Sequence, residues 1–270
     1  MHSSFKVAQE NPFGTGYAIV DPSTPDRVAR DARTAHQRGL IQLCTTVDAW
    51  APEAQQYILG RRCLEAILAE PVWTVRILTK NAAVQNDFDL IAKHQPRVLV
   101  GLSLAAPPDK TQVIRAVGPL ASSIPERTVA LETAHRLGLR TYGMYCPLLP
   151  GIADERGPIQ ELISFGLRCG VEEIFVELVN GREPGLKATE GALRQAGFLR
   201  EAEAIAQIRS KQGWSSYATR LFNNVQESRA EVFNALFEVS PCSLTAHRAY
   251  NSQCQRSVRG AQVHSLQAVA

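Results

Sequence analysis

The sequence predicts an α/β fold, a partial parallel β/α barrel of five strands with its helices outside. Two observations predict it. Five short apolar runs alternate with stretches of helical periodicity, and their starts lie about 25 to 40 residues apart, the spacing of β/α units. Nearly every apolar run also ends in polar or ionisable residues, which suits a parallel sheet whose strand ends share one chemical rim. Parallel strands need crossovers of this length, and those crossovers are right-handed.

Taken in order, residues 1–23 read as irregular. Asn11-Pro12-Phe13-Gly14-Thr15-Gly16 and Asp21-Pro22-Ser23-Thr24-Pro25 are turn material. Ser23 or Thr24 can cap a helix running to Arg38, with Pro25 in its first turn and Gly39 closing it. The first predicted strand is Leu40–Thr46. A turn containing Pro52 leads to a helix from Glu53 to Ala69, where Ile58, Leu64, Ile67 and Leu68 recur at helical spacing. The strand Trp73–Leu78 and a helix over Val84–His94 follow. The strand Arg97–Leu104 has the continuous apolar run of a strand buried on both faces. A longer connection carries a short helical piece over Thr111–Val117.

Pro125-Glu126 opens the helix Arg127–Leu137, and Gly138 ends it. The strand Leu139–Tyr145 runs into the rigid loop Pro147–Gly151. Ile159–Arg168 is helical, and Val171–Val179 is the last strand. Thr189–Lys211 reads as a long helix interrupted near Gly197, and Trp214–Val239 as another. Residues 1–239 thus form a single domain. Residues 240–270, rich in Ser, Gln, Ala and Arg, read as a loosely ordered polar tail.

Composition narrows the class. A chain of 270 residues can bury one large core, and 45% hydrophobic with 20% charged residues is ordinary for a soluble globular protein. No run approaches the roughly 20 apolar residues of a membrane helix, and the opening residues lack signal-peptide blocks. The expected location is cytoplasmic, with no membrane partner. The net charge of +3 is small, and its sources, Arg182, Lys187, Arg194, Arg200, Arg209, Lys211 and Arg220 among them, cluster late in the chain. That suits an anionic substrate or merely a solvated helix face, and it is not the dense basic stripe of a strong nucleic-acid binder. The six cysteines show no CxxC pattern and read as free thiols. Cys44 and Cys146 fall at strand ends. Cys63 reads as core. Cys242, His247 and Cys254 match no common zinc spacing.

The candidate site follows from the rim. Asp48 lies just after the first strand and can bond a ligand hydroxyl or amine, or cap its own turn. Lys80 ends the second strand, where its ammonium can hold a carboxylate or phosphate as a point charge. Ser103 can give a hydrogen bond to the same ligand, and Glu177 and Asn180 are placed like it. No GxGxxG, P-loop, GxSxG or HExxH occurs. The histidines His36, His94 and His135 fall on helices, away from strand ends.

These segments, in this order, resemble the radical S-adenosylmethionine (SAM) superfamily, in the branch related to spore photoproduct lyase. The resemblance rests on Thr45-Thr46-Val47-Asp48 followed by Pro52 and Arg61-Arg62-Cys63-Leu64-Glu65. It continues through Leu78-Thr79-Lys80, Gly101-Leu102-Ser103, Pro125-Glu126-Arg127 and Pro147-Leu148-Leu149-Pro150-Gly151-Ile152-Ala153-Asp154, and covers about residues 40–180. It implies a barrel whose Asp48, Lys80 and Ser103 line a SAM-shaped cavity. It also implies a [4Fe–4S] cluster as second cofactor and a radical enzyme that abstracts hydrogen from its substrate. Spore photoproduct lyase repairs DNA, so a nucleic-acid substrate is one implication, which the small basic excess does not decide.

The chain departs from the family at its cluster. The CxxxCxxC loop and the first barrel strand are missing. Asn11-Pro12-Phe13 resembles the Asn-Pro-Tyr that precedes the family's cysteines, yet Gly14-Thr15-Gly16-Tyr17 follows. Thiolates are what hold such clusters. The expectation is a truncated or degenerate relative, inactive in the radical reaction as given. A cluster-less binding scaffold, or an unrelated α/β barrel enzyme that binds an anionic metabolite through Lys80, are the alternatives.

Overall fold

A computed structural model describes residues 20–36, 39–44 and 47–238. Its centre is a five-stranded parallel sheet whose spatial order, β1-β2-β3-β4-β5, is the order of the chain. The strands are β1 (Leu40–Leu43), β2 (Thr74–Thr79), β3 (Val98–Ser103), β4 (Arg140–Tyr145) and β5 (Ile174–Val176). Register is regular: Leu43 lies beside Ile77, Thr79 beside Leu102, Ser103 beside Met144 and Tyr145 beside Val176. The predicted α/β class, with a parallel half-barrel sheet, is therefore the observed one.

Ten α-helices connect and flank the strands of the described residues. They are α1 (Thr24–Thr34), α2 (Pro52–Gln55), α3 (Leu59–Leu68), α4 (Phe88–Lys93), α5 (Thr111–Val117), α6 (Ile124–Arg136), α7 (Arg156–Arg168), α8 (Glu183–Gln195), α9 (Leu199–Gln207) and α10 (Lys211–Glu238). A 3₁₀ helix over Ala82–Asp87 precedes α4, and one over Pro108–Lys110 precedes α5.

Strand alternation sorts the side chains into two faces. In β2, Val75, Ile77 and Thr79 are buried, while the residues between them are partly exposed. Val75, Ile77, Val98, Val100 and Leu102 join Leu64, Ile67, Ile91, Leu131 and Ile163 of the helices in one continuous core. Burying each such side chain stabilises the fold by about 1.5–3 kcal/mol. On the other face a small second cluster gathers Leu99, Tyr142 and Met144, with Leu78, Cys146 and Phe175 against it. β3 is buried along its whole length, as its apolar run predicted.

Curvature is written in one contact on this second face. Arg76 of β2 donates from Nη2 to Glu173 Oε2, just before β5, at 2.5 Å. In a flat sheet those strands would lie about 14 Å apart, three spacings of roughly 4.8 Å. A concave sheet brings the side chains together across β3 and β4.

Several boundaries differ from the sequence reading. The helix predicted over Glu53–Ala69 is two helices, because Ile58 takes a left-handed conformation, φ 53°. Trp50 fills that break. Its indole packs so closely on Gly60 that a Cβ there would lie 2.5 Å from the ring, and its Nε1 donates to Asp87 Oδ2 at 2.8 Å. The first helix stops at Thr34, since Ala35 is already extended. The last strand is shorter than Val171–Val179. The helix predicted from Thr189 begins at Glu183, where Pro184 is tolerated in a first turn. It does break where expected, at Gly197 with φ 84°. Residues 1–19, Thr45, Thr46 and the predicted tail 240–270 lie outside the described residues.

Candidate functional site at the carboxyl rim

The concave face has an aromatic floor. Gly101 of β3 leaves the space in which the Tyr142 ring lies; a Cβ at Gly101 would come within 2.3 Å of it. The Tyr142 hydroxyl donates to the Ile77 carbonyl at 3.0 Å and accepts from Gln42 Nε2 at 3.4 Å. Tyr142 and Phe175 meet edge to face, ring centres 5.9 Å apart. The Arg76 guanidinium stands 5.0 Å from both ring centres and neutralises Glu173. Burial raises the Tyr142 hydroxyl above its ordinary pKa.

Above this floor the strand ends converge. β1 stops at Cys44, whose backbone is left-handed at φ 67°. A non-glycine residue in that region is held there by its surroundings. Its Sγ accepts from the Ala49 amide at 3.2 Å. The connection from β1 brings Asp48 over the end of β2. Oδ1 accepts from the Trp50 amide at 2.9 Å, and both oxygens accept from Thr79 Oγ1 at 2.8 Å. Oδ2 also accepts from the Lys80 amide at 2.9 Å and from Asn81 Nδ2 at 2.8 Å. Asp48 therefore spends its carboxylate on fastening the β1 connection to Thr79–Asn81. It acts on the rim by positioning Lys80.

Lys80 is exposed. Among the described residues its ammonium makes no ion pair, and its charge acts on the Cys146 thiol at the end of β4. Ser103 is buried, with Oγ donating to the Cys146 carbonyl at 2.7 Å. Cys146 Sγ donates in turn to Glu177 Oε2 at 2.9 Å. Burial pushes this thiol up to about 12, the hydrogen bond to Glu177 reinforces the shift, and Lys80 opposes it. Cys44 is likewise pushed up to about 12, first by burial. Both thiols are protonated at neutral pH and are poor nucleophiles.

Of the predicted site residues, Asp48 accepts from the Lys80 amide, Ser103 donates to the Cys146 carbonyl, and the Lys80 charge acts on the Cys146 thiol. Asn180 does not join them, since its Oδ1 accepts from the Arg182 amide in a local turn. The Pro147–Gly151 loop closes the rim beside β4. Asp154 holds it by accepting from the Gly151 amide at 2.7 Å, and binds Arg220 of α10 at 2.7 Å. Cys63 is buried, as predicted. Of the histidines predicted on helices, only His135 lies on one and it is exposed; exposed His36 falls beyond the end of α1, and His94 caps the end of α4.

Sequence reasoning missed the floor. A lone arginine inside an apolar strand, Arg76, and a glycine inside a buried one, Gly101, were the available signals. Their partners lie too far along the chain to be paired by inspection. Among the described residues no group of three His, Cys, Asp or Glu is arranged to hold a metal ion; Cys242, His247 and Cys254 lie outside them. The described cysteines do not fit a four-iron cluster.

Chemically, among the described residues the rim offers the Lys80 cation, the buried Ser103 hydroxyl and a thiol hydrogen-bonded to a carboxylate, over an aromatic floor. That set can hold a small molecule with an anionic group and an unsaturated or apolar body.

No family model matches the chain, and no solved structure matches it. It is similar to the uncharacterised protein ORF301 of Acidianus two-tailed virus, at 23% identity over 202 residues. The match covers 72% of this chain and 65% of the viral protein, so the chain spans less than two thirds of that relative's length.

Proposed function

We propose that this chain is a radical SAM-like barrel related to spore photoproduct lyase, and that its carboxyl rim binds SAM or a similar nucleoside-bearing amino acid. One observation carries the reading. Asp48 accepts from Thr79 Oγ1, the Lys80 amide and Asn81 Nδ2, which fixes the Lys80 backbone at the rim, and among the described residues the Lys80 ammonium makes no ion pair. The ordered motifs of residues 40–180 support it.

In this reading the Lys80 ammonium takes the carboxylate of the ligand, and Ser103 accepts or relays a hydrogen bond beside it. The adenine ring finds apolar surface on Leu78, Met144 and Phe175. Lys80, being flexible, supplies a point charge, and Asp48 limits the positions from which it acts. In the family the cluster supplies an electron to SAM. The residues described here hold and orient the ligand, and no electron-transfer step is drawn through them.

The test is calorimetric titration with SAM and with S-adenosylhomocysteine. A charge-assisted hydrogen bond contributes about 1.5–3 kcal/mol, so Lys80→Ala should weaken binding roughly tenfold or more. Equal binding by wild type and variant would remove Lys80 from the site. Absence of SAM binding by wild type, with retained binding of a simple dicarboxylate, would favour an α/β barrel that takes an anionic metabolite instead.

A further inference from the structure

A second site lies behind the rim, in the connection between β3 and α6. A cavity of about 350 Å³ opens there, walled by Arg115, Ser122, Ser123, Glu126 and Arg127. That volume falls within the roughly 300–1,000 Å³ of small-molecule sites. Its least ordinary member is Arg127, a guanidinium only 2% exposed. Arg127 Nη1 donates to the Ser103 carbonyl, and its Nε is enclosed with no acceptor.

A buried guanidinium is normally matched by a carboxylate, since leaving its charge unpaired is costly. Here the adjacent acid is already committed. Glu126 Oε2 accepts from the Ser123 amide at 2.6 Å and from Ser123 Oγ at 2.7 Å, completing the capping box of α6. Burial lowers Arg127 to about 10, and Glu126 compensates only in part. Arg115 is exposed, and among the described residues it forms no ion pair. Two guanidinium groups and one carboxylate leave a net single positive charge on the cavity wall. Ser122 Oγ accepts from the Ala82 amide at 2.9 Å, which leaves its own proton to donate.

The geometry points to an oxyanion site in this cavity, taking a phosphate group, free or carried on a small metabolite, between Arg115, Arg127 and Ser122. The site is joined to the rim by backbone. The Ser122 amide donates to the Lys80 carbonyl at 3.1 Å, and Arg127 holds the Ser103 carbonyl. An anion here would stiffen both segments that carry the rim residues. This inference is independent of what the rim binds.

The experiment titrates the full chain with sodium phosphate by phosphorus NMR and calorimetry, with sodium chloride at matched ionic strength as reference. Saturable phosphate binding is expected, weakened at least fivefold by Arg115→Gln and by Ser122→Ala. Arg115 is exposed, so its variant tests the site even where Arg127→Gln does not fold. Glycerol 3-phosphate binding more tightly than phosphate would identify a carried group, and the reverse order the free ion. No binding beyond chloride, or binding that Arg115→Gln leaves intact, would overturn the proposal. So would phosphate binding lost in Lys80→Ala but kept in Arg115→Gln, which would place the anion at the rim.

Discussion

At the scale of single residues, the rim couples protonation to stability. Cys44 and Cys146 have an ordinary thiol value of 9.0 and rise to about 12 in the fold, chiefly through burial. Below pH 9 both folded and unfolded chains keep these protons, and the stabilisation is complete. Above it the unfolded chain ionises while the folded chain does not. Stability should therefore fall between pH 9 and about 12, by about 1.4 kcal/mol per pH unit for each thiol. Urea denaturation of wild type and Cys146→Ala at several values between pH 8 and 11 reads this directly, because the difference cancels the tyrosines. A variant whose stability declines as steeply as wild type would exclude Cys146 as a source. Lys80 belongs to the same balance. Its charge lowers the folded Cys146 value, so Lys80→Ala should leave the onset near pH 9 unchanged and extend the Cys146 stability loss to higher pH, as well as weaken ligand binding. The calorimetric and denaturation readouts are separate, which distinguishes a rim residue from a merely solvated lysine.

At the scale of the element, β3 and β4 are matched through one glycine and one tyrosine. Gly101→Ala would drive a methyl group into the Tyr142 ring and should cost about 1–3 kcal/mol. Tyr142→Ala should cost about 3–5 kcal/mol, by analogy with other large aromatic truncations. The double variant should lose clearly less than the sum, because the ring that the methyl group strikes is gone. Strict additivity in urea denaturation would sink this account of the floor. The same pair shows what the sequence could and could not display. The five strands were legible because each is a short run rich in apolar, aromatic or β-branched residues between stretches of helical period, and β3 announced its double burial by its continuous apolar run. Asp48, Lys80 and Ser103 were legible as rim positions because parallel strands must end on one side. The break at Ile58 was not legible, because a β-branched residue in a helical pattern gives no sign of a left-handed turn. Its companion feature is the Trp50 indole packed on Gly60, two residues further on. The Arg76–Glu173 pair was hidden by a separation of 97 residues along the chain. Arg127 looked like an ordinary helix residue until its depth was known.

At the scale of the whole molecule, the half-barrel leaves its first strand exposed to test. Among the described residues β1 pairs with β2 alone, and Leu40 is 57% exposed. Amide hydrogen exchange should be faster over Leu40–Leu43 than over Val98–Ser103, which is buried and paired on both sides. Equal protection of the two strands in a mass-spectrometric exchange experiment would mean that some further part of the chain pairs with β1. The sheet's order also bears on how the protein is made. Each strand has as its partner the strand just before it in the chain, so no pairing must wait for a distant segment. Loop-closure costs stay small, and contacts form between neighbouring units. A nascent chain emerging from the ribosome can lay β2 on β1, then β3 on β2, each newcomer docking on the edge left by its predecessor. The growing edge stays unsatisfied until the next unit is synthesised. Translation speed through residues 104–139, the longest wait between neighbouring strands, would then set how long that apolar edge stands open to misassociation.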